Sequence, residues 1–82
     1  MTLAERLAES LRRMRRETGI TQVEMARRLG LSQSTVARAE KGSQNLTLKM
    51  VDDLCAALRC DVVELLEPGR VKFPVVRRRQ RV

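Results

Sequence analysis

The sequence has 82 residues, with 17 lysines and arginines against 10 aspartates and glutamates, and a net charge of +7. This length predicts one small domain. The absence of histidine excludes Ser-His and Cys-His catalytic sites and zinc sites with imidazole ligands, and a single aromatic residue, Phe73, argues against base stacking on aromatic platforms.

The first predicted helix runs from Thr2 to Thr18. Thr2 and Glu5 have the spacing of a capping box, and Gly19 is a typical residue just past a helix end. Apolar residues recur at helical spacing along this segment, and we expect them to form its buried face: Leu3, Leu7, Leu11 and Met14.

Two short helices follow. The second starts at a capping box formed by Thr21 and Glu24 and ends at Gly30, and the third has Ser32 as its N-cap and is closed by Gly42. The inward faces of these two helices are predicted to consist of Met25, Ala26, Leu29, Val36 and Ala39.

After a polar loop, Thr47 caps a fourth helix, and Asp61 with Glu64 starts a short fifth one that ends before Pro68. Met50 lies off the main apolar stripe and is expected at the surface or in an interface. The predicted stripe of the fourth helix is Leu48, Val51, Leu54, Cys55 and Leu58, and that of the fifth is Val62, Leu65 and Leu66.

The end of the chain carries most of the net charge. Residues 1–69 contain 11 basic and 10 acidic side chains, whereas residues 70–82 add six basic ones and no acid. The short segment Val71–Val76 is rich in β-branched valine and contains Pro74, which favours an edge strand or an extended arm. We therefore predict an all-α domain of five helices over residues 1–67 and a basic extended tail over residues 68–82. Three roles of the tail remain open: it pairs with a second copy as a dimer strand, it binds phosphate or a partner, or it is solvated.

The second and third helices describe a helix-turn-helix. Ala26 is small where the two helices cross, Gly30 permits a left-handed turn, and Val36 anchors the second helix of the pair on the core. A helix presented in this way can enter the major groove of DNA. The runs Gly19–Ser32 and Ser34–Gly42 resemble the helix-turn-helix domains of phage repressor and Cro type, the xenobiotic-response-element family, and the likeness extends over residues 3–66.

This resemblance implies a DNA-binding role for particular residues. Gln33 would contact adenine, Arg38 guanine or a phosphate, and Ala37 a thymine methyl group, while Gln22 would bind a phosphate and brace the third helix. Arg15 and Glu40 match a structural ion pair of the family. The full set of predicted DNA-binding residues is Gln22, Ser32, Gln33, Ser34, Thr35, Ala37, Arg38, Lys41, Ser43 and Asn45.

Two interpretations stay open for several other side chains. Arg12, Arg13, Arg15 and Arg16 form either a phosphate clamp or, for most of them, a solvated helix face, and a similar choice applies to Arg27 and Arg28. The two cysteines, Cys55 and Cys60, are too few for a disulfide framework or a four-thiolate metal site, and we expect them to be thiols in the core. We expect no cofactor.

We therefore expect a sequence-specific regulator of transcription, a repressor that binds an inverted repeat in double-stranded DNA as a homodimer, and not an enzyme. The alternative is an antitoxin-like protein that neutralises a toxin enzyme and regulates its own operon. The charged start Met1–Arg6 and the lack of an apolar run of about 18 residues predict a cytoplasmic protein with no membrane contact.

Overall fold

A computed structural model describes residues 1–42 and 46–72. In this part of the chain there are five helices and no strand, as predicted. The helices are α1 (Leu3–Thr18), α2 (Gln22–Leu29), α3 (Gln33–Glu40), α4 (Leu48–Leu58) and α5 (Val62–Leu65). None of these helices has the length and apolar composition needed to span a membrane.

Each helix begins at the side chain predicted to cap it. A side-chain oxygen of the N-cap residue accepts a hydrogen bond from the backbone N–H three residues later, which satisfies one of the free donors of the first turn. These N-caps are Thr2, Thr21, Ser32, Thr47 and Asp61. The capping box is complete at Thr2–Glu5 and at Asp61–Glu64.

The helices enclose one apolar core. α3 packs against α1 and α2, and α4 packs against α2 and α5. The core contains mainly aliphatic and methionine side chains: Leu7, Leu11, Met14, Met25, Ala26, Val36, Ala39, Met50, Leu54, Leu58, Leu65 and Val71.

The predicted burial of Leu3, Leu48 and Val62 is wrong, and so is the predicted surface position of Met50. Leu3 and Leu48 are 65% and 85% exposed, whereas Met50 is only 6% exposed and belongs to the core. Met50, Leu54 and Leu58 share the inward face of α4, and Leu48 lies about 120° around the helix from the centre of that face. Val62 is 46% exposed, Leu65 is the buried residue of α5, and Leu66, which follows the helix, is half-buried.

The chain folds back onto α1 after α5. Val71 is buried in the core, and Gly69 has a left-handed backbone with φ of 89° beside the guanidinium of Arg13. Only Val71 and Lys72 of the predicted strand Val71–Val76 belong to the described residues. The side chain of Val71 packs in the core of its own domain.

Candidate nucleic-acid interface

The turn between α2 and α3 is built on a left-handed glycine. Gly30 has φ of 71°, and the N–H of Leu31 donates to the carbonyl of Ala26 over 2.9 Å, which closes the end of α2. Ala26 of α2 is buried in the core, and α3 packs against α2. Three residues therefore connect the two helices, and α3 crosses α2 closely.

The first turn of α3 is held by hydroxyl groups. Ser32 Oγ accepts from the backbone N–H of Thr35 over 3.1 Å and lies 2.8 Å from Thr35 Oγ1 and 3.1 Å from Ser34 Oγ. Thr35 is half-buried, while Ser32 and Ser34 are exposed. These hydroxyls fix the N-terminus of α3 and can still accept or donate one further hydrogen bond outward.

One face of α3 is buried and the opposite face is open to solvent. Val36 and Ala39 are fully buried, and Ala37 is half-buried. Three of the polar residues predicted to contact DNA lie on the open side: Gln33, Arg38 and Lys41. Two others, Ser43 and Asn45, lie outside the described residues.

The C-terminal end of α3 is held by a polar network around Glu40. Arg15 donates to its carboxylate twice, from Nε to Oε2 over 2.7 Å and from Nη2 to Oε1 over 3.0 Å. Gln22 Nε2 donates to Oε1 over 3.0 Å, and Arg12 Nη1 donates to the backbone carbonyl of Glu40 over 2.7 Å. The network joins α1, α2 and α3 through one buried carboxylate.

The structure thus contains the ion pair of Arg15 and Glu40 that the resemblance implies. Glu40 is 4% exposed and Arg15 is 28% exposed. The hydrogen bond to Glu40 raises the pKa of Arg15. Arg15 Nη1 also donates to the carbonyl of Ile20 over 3.1 Å, which ties the link between α1 and α2 to the same group.

The sequence did not single out Arg12 as a partner of α3. It is one of four arginines in a short run, and only its hydrogen bond to the Glu40 carbonyl distinguishes it from the others. The spacing of three residues between Arg12 and Arg15, which places both on one side of α1, was the available signal.

The helix-turn-helix is also found by comparison with known proteins. Residues 6–67 match the family model described as a helix-turn-helix domain. The chain belongs to this family.

Relatives of this helix-turn-helix domain include regulators. Over 68 residues it is 35% identical to the uncharacterized HTH-type transcriptional regulator y4dJ of Sinorhizobium fredii (strain NBRC 101917 / NGR234), a match that covers 83% of this chain and 88% of that protein. The crystal structure of the hypothetical transcription factor NHTF from Neisseria is similar with a TM-score of 0.62 and 32% identity, over 83% of this chain and 76% of that chain.

A more distant relative is an antitoxin. The helix-turn-helix domain is 23% identical over 69 residues to antitoxin PezA of Streptococcus pneumoniae serotype 4 (strain ATCC BAA-334 / TIGR4). This match covers 84% of the chain but only 44% of PezA, so more than half of PezA has no counterpart in the match.

The arginines of α2 are paired within the helix-turn-helix domain. Glu24, which does not complete a capping box with Thr21, instead accepts from Arg27 and Arg28, with Arg28 Nε 2.7 Å from its Oε2. These two hydrogen bonds lower the pKa of Glu24 to about 2. Arg12, Arg13 and Arg16 are paired too, with Glu9 or Glu17, and their side chains remain 42–60% exposed.

The two cysteines lie away from the exposed face of α3. Cys55 and Cys60 are free thiols and half-buried rather than fully buried. Burial raises the pKa of both, that of Cys60 to about 11. In residues 1–42 and 46–72, no three cysteine or acidic side chains come together as a metal site.

Proposed function

We propose that the protein is a sequence-specific regulator of transcription that places α3 in the major groove of double-stranded DNA. The observation that carries this proposal is the two-sided character of α3. Its apolar side is buried and its C-terminus is fixed by the Glu40 network, while Gln33 and Arg38 project into solvent. A rigid helix with polar residues on its open face is what base readout requires.

The proposed readout uses two exposed residues of α3, Gln33 and Arg38, and the half-buried Ala37. Gln33 can donate to and accept from an adenine edge, and Arg38, which has no ion-pair partner in the described part of the chain, can donate to guanine. Ala37 offers a methyl group to thymine. Each of these contacts would distinguish one base pair.

The remaining predicted residues would bind the DNA backbone. The hydroxyls of Ser32, Ser34 and Thr35 lie at the N-terminal end of α3, Lys41 follows its last residue, and we extend the same role to Ser43 and Asn45. Gln22 would combine two tasks. One amide hydrogen bonds to Glu40, and the other remains for a phosphate oxygen.

We further propose that the domain is of phage repressor and Cro type and acts as a repressor, as a homodimer on an inverted repeat. One recognition helix reads about four or five base pairs, too few for genomic specificity, and a two-fold dimer doubles the site. We also propose that the function is binding rather than catalysis, in keeping with the regulators among its relatives.

The test is selection of bound duplexes from random DNA with the full chain, followed by affinity measurements on the selected site. Two half-sites in inverted orientation are expected. Gln33→Ala should weaken binding to the selected site by roughly 10- to 100-fold and relax the preference at one base pair, with little change on random DNA. Equal weakening on both duplexes would remove Gln33 from base readout, and selection of no sequence would contradict the proposed function.

The likeness to antitoxin PezA favours a second candidate function. The protein would then neutralise a toxin enzyme by direct contact and also repress its own operon, but the low identity and the partial coverage make this the weaker proposal. Its test is whether the purified protein abolishes the activity of a toxin encoded next to it.

A further inference from the structure

An open groove lies between the N-terminal ends of α1 and α4. Its lining consists of Leu3, Ala4, Leu46, Leu48 and Val51 together with two threonines, and it carries no charged side chain, although 33% of the residues in the chain are charged. Leu3 is 65% exposed and Leu48 is 85% exposed. Single exposed leucines are ordinary on protein surfaces, but apolar side chains that together line a groove indicate a surface for contact with another apolar surface.

One unpaired charge of each sign lies beside this groove. Arg6 follows Leu3 by three residues on α1, and Asp52 follows Leu48 by four residues on α4, so each charge lies on the same side of its helix as an exposed leucine. Both charged side chains are exposed. Within residues 1–42 and 46–72, neither of them has an oppositely charged group within 4.0 Å. Both charges are therefore available to a second molecule.

The other unpaired charges of the described residues have different roles or lie elsewhere. The two other carboxylates without a basic partner, Glu5 and Asp61, complete the capping boxes of α1 and α5. Among the unpaired basic residues, Arg38 and Lys41 belong to the proposed DNA interface, and Arg59 ends α4 at the opposite end of that helix from the groove. The charges beside the groove are thus the ones that no contact within the domain and no proposed DNA contact uses.

We propose that this groove is the contact between the two copies of a homodimer, in which Leu3 and Leu48 of each copy pack against those of the other. This inference rests on the proposed function and gives its homodimer an interface. In a two-fold dimer every contact occurs twice, so that Arg6 of each copy pairs with Asp52 of the other. An uncharged centre with opposite charges at its rim is the composition expected of a specific interface.

This interface leaves the proposed DNA contacts free. The described residues that line the groove belong to the start of α1, the start of α4 and the segments just before them, and none is in α3. Gly42, which follows α3, lies against α1, where a methyl group in place of its α-hydrogen would be 3.6 Å from Ala8 Cβ. Leu3 and Ala4 lie about one turn before Ala8. A two-fold axis at the groove therefore relates two α3 helices near their C-terminal ends, and their open faces stay uncovered, as binding to an inverted repeat requires.

A second pair of exposed apolar residues is less suited to contact between copies. Val62 and Val63 of α5 are 46% and 63% exposed. Asp61 precedes them and Glu64 follows them, so two copies that met at this surface would bring carboxylates of the same sign together. Val63 therefore provides a control position for the experiment.

The experiment measures the mass of the full chain by sedimentation equilibrium in the absence of DNA, at concentrations from about 1 to 100 μM. The full chain should form dimers in this range. Leu48→Glu should raise the dissociation constant of the dimer by roughly 30-fold or more, because each copy would bring an unpaired charge into the apolar contact. Val63→Glu is the matched control, since it also places a glutamate in the first turn of a helix, where a negative charge is favourable, and it should leave the dimer unchanged. Circular dichroism checks that both variants remain helical.

Two charge reversals test the pairing of Arg6 with Asp52. Arg6→Glu and Asp52→Arg alone should each raise the dissociation constant by about 10-fold at low salt, because each places like charges opposite each other twice. The two variants change the net charge in opposite directions, so a general effect of net charge does not weaken both. The double variant restores opposite charges and should return to within about 3-fold of the parent dissociation constant. A double variant that is no stronger than either single one would contradict this pairing.

A Leu48→Glu variant that dimerises as strongly as the full chain overturns the proposal, and so does a dimer that Val63→Glu dissociates instead, which would place the contact on α5. A monomeric full chain also overturns it. In that case a lower Tm of Leu48→Glu would indicate that another segment of the same chain covers the groove, and an unchanged Tm would indicate a different protein as its occupant. Failure of the proposed function has a separate signature, because the full chain would then bind selected and random duplexes equally, whatever its mass in the absence of DNA.

Discussion

Replacing Glu40 by glutamine tests how far the polar network holds the fold together. The glutamine keeps one carbonyl oxygen, but its NH₂ group replaces one of the two carboxylate oxygens that accept from Arg15. Two donors then face each other, and the charge of Arg15 loses its partner. Glu40 is 4% exposed, so water does not readily take the place of the lost contact.

The cost can be bounded from the exposure of the two partners. Breaking a buried ion pair from one side costs about 3–5 kcal/mol. Because Arg15 is 28% exposed, part of its charge is solvated, and we expect the lower end, about 3 kcal/mol. For a domain of this size, that loss lowers Tm by roughly 12–24 °C.

Circular dichroism during heating and during urea titration measures this change. Asp53→Asn is the matched control, since it also exchanges a carboxylate for an amide but in an exposed pair with Lys49, worth only about 0.2–0.5 kcal/mol. A Glu40→Gln variant that melts within a few degrees of the Asp53→Asn variant would refute the reasoning.

Three further predictions concern other groups. The pKa of Glu24 is lowered from 4.5 to about 2, so its carboxylate stabilises the fold above about pH 4.5 and this contribution is lost as the pH falls towards 2. Glu24→Gln should therefore flatten the dependence of stability on pH in this range, which urea unfolding at several pH values measures. Cys60, whose pKa is raised from 9.0 to about 11, should be alkylated by iodoacetamide at pH 8 roughly 100-fold more slowly in the folded protein than in urea, and equal rates would contradict its burial. Ser10 Oγ is buried with no hydrogen-bond partner in the described part of the chain, so Ser10→Ala should leave the free energy of unfolding unchanged or raise it by up to about 1 kcal/mol. The control is the reverse change at the buried Ala8: Ala8→Ser should lower the free energy of unfolding by about 1–3 kcal/mol, and thermal unfolding measures both variants.

Local features of the fold could be predicted from the sequence because their causes are local. A threonine, serine or aspartate bonds to the backbone three residues later, so each helix start can be identified within one turn of chain. The left-handed turn at Gly30 has the same local origin. For these features the tertiary structure adds little.

The phase of a helix and the partners of a charge are not local. Leu48 and Met50 are both apolar and two residues apart, and only the docking of α4 on its neighbours decides that Met50 is buried. The run of arginines in α1 is similar: Arg12 is distinguished by the carbonyl of Glu40, 28 residues further along the chain. Such contacts depend on how helices pack, which no spacing in the sequence specifies.

The short length of α3 links stability to recognition. A helix of eight residues is not stable alone in water, and only Val36, Ala39 and Glu40 of α3 are buried. Its orientation therefore depends on a few groups, among which the Glu40 network supplies the contacts at the C-terminal end. If α3 reads DNA, Glu40→Gln should weaken binding to the selected site without any contact to a base, whereas Gln33→Ala should weaken binding and leave Tm unchanged. Measuring Tm and affinity for the selected site in both variants separates a side chain that holds the helix from one that contacts the DNA. A Glu40→Gln variant that is destabilised yet binds the selected site at full affinity would show that the network does not orient α3.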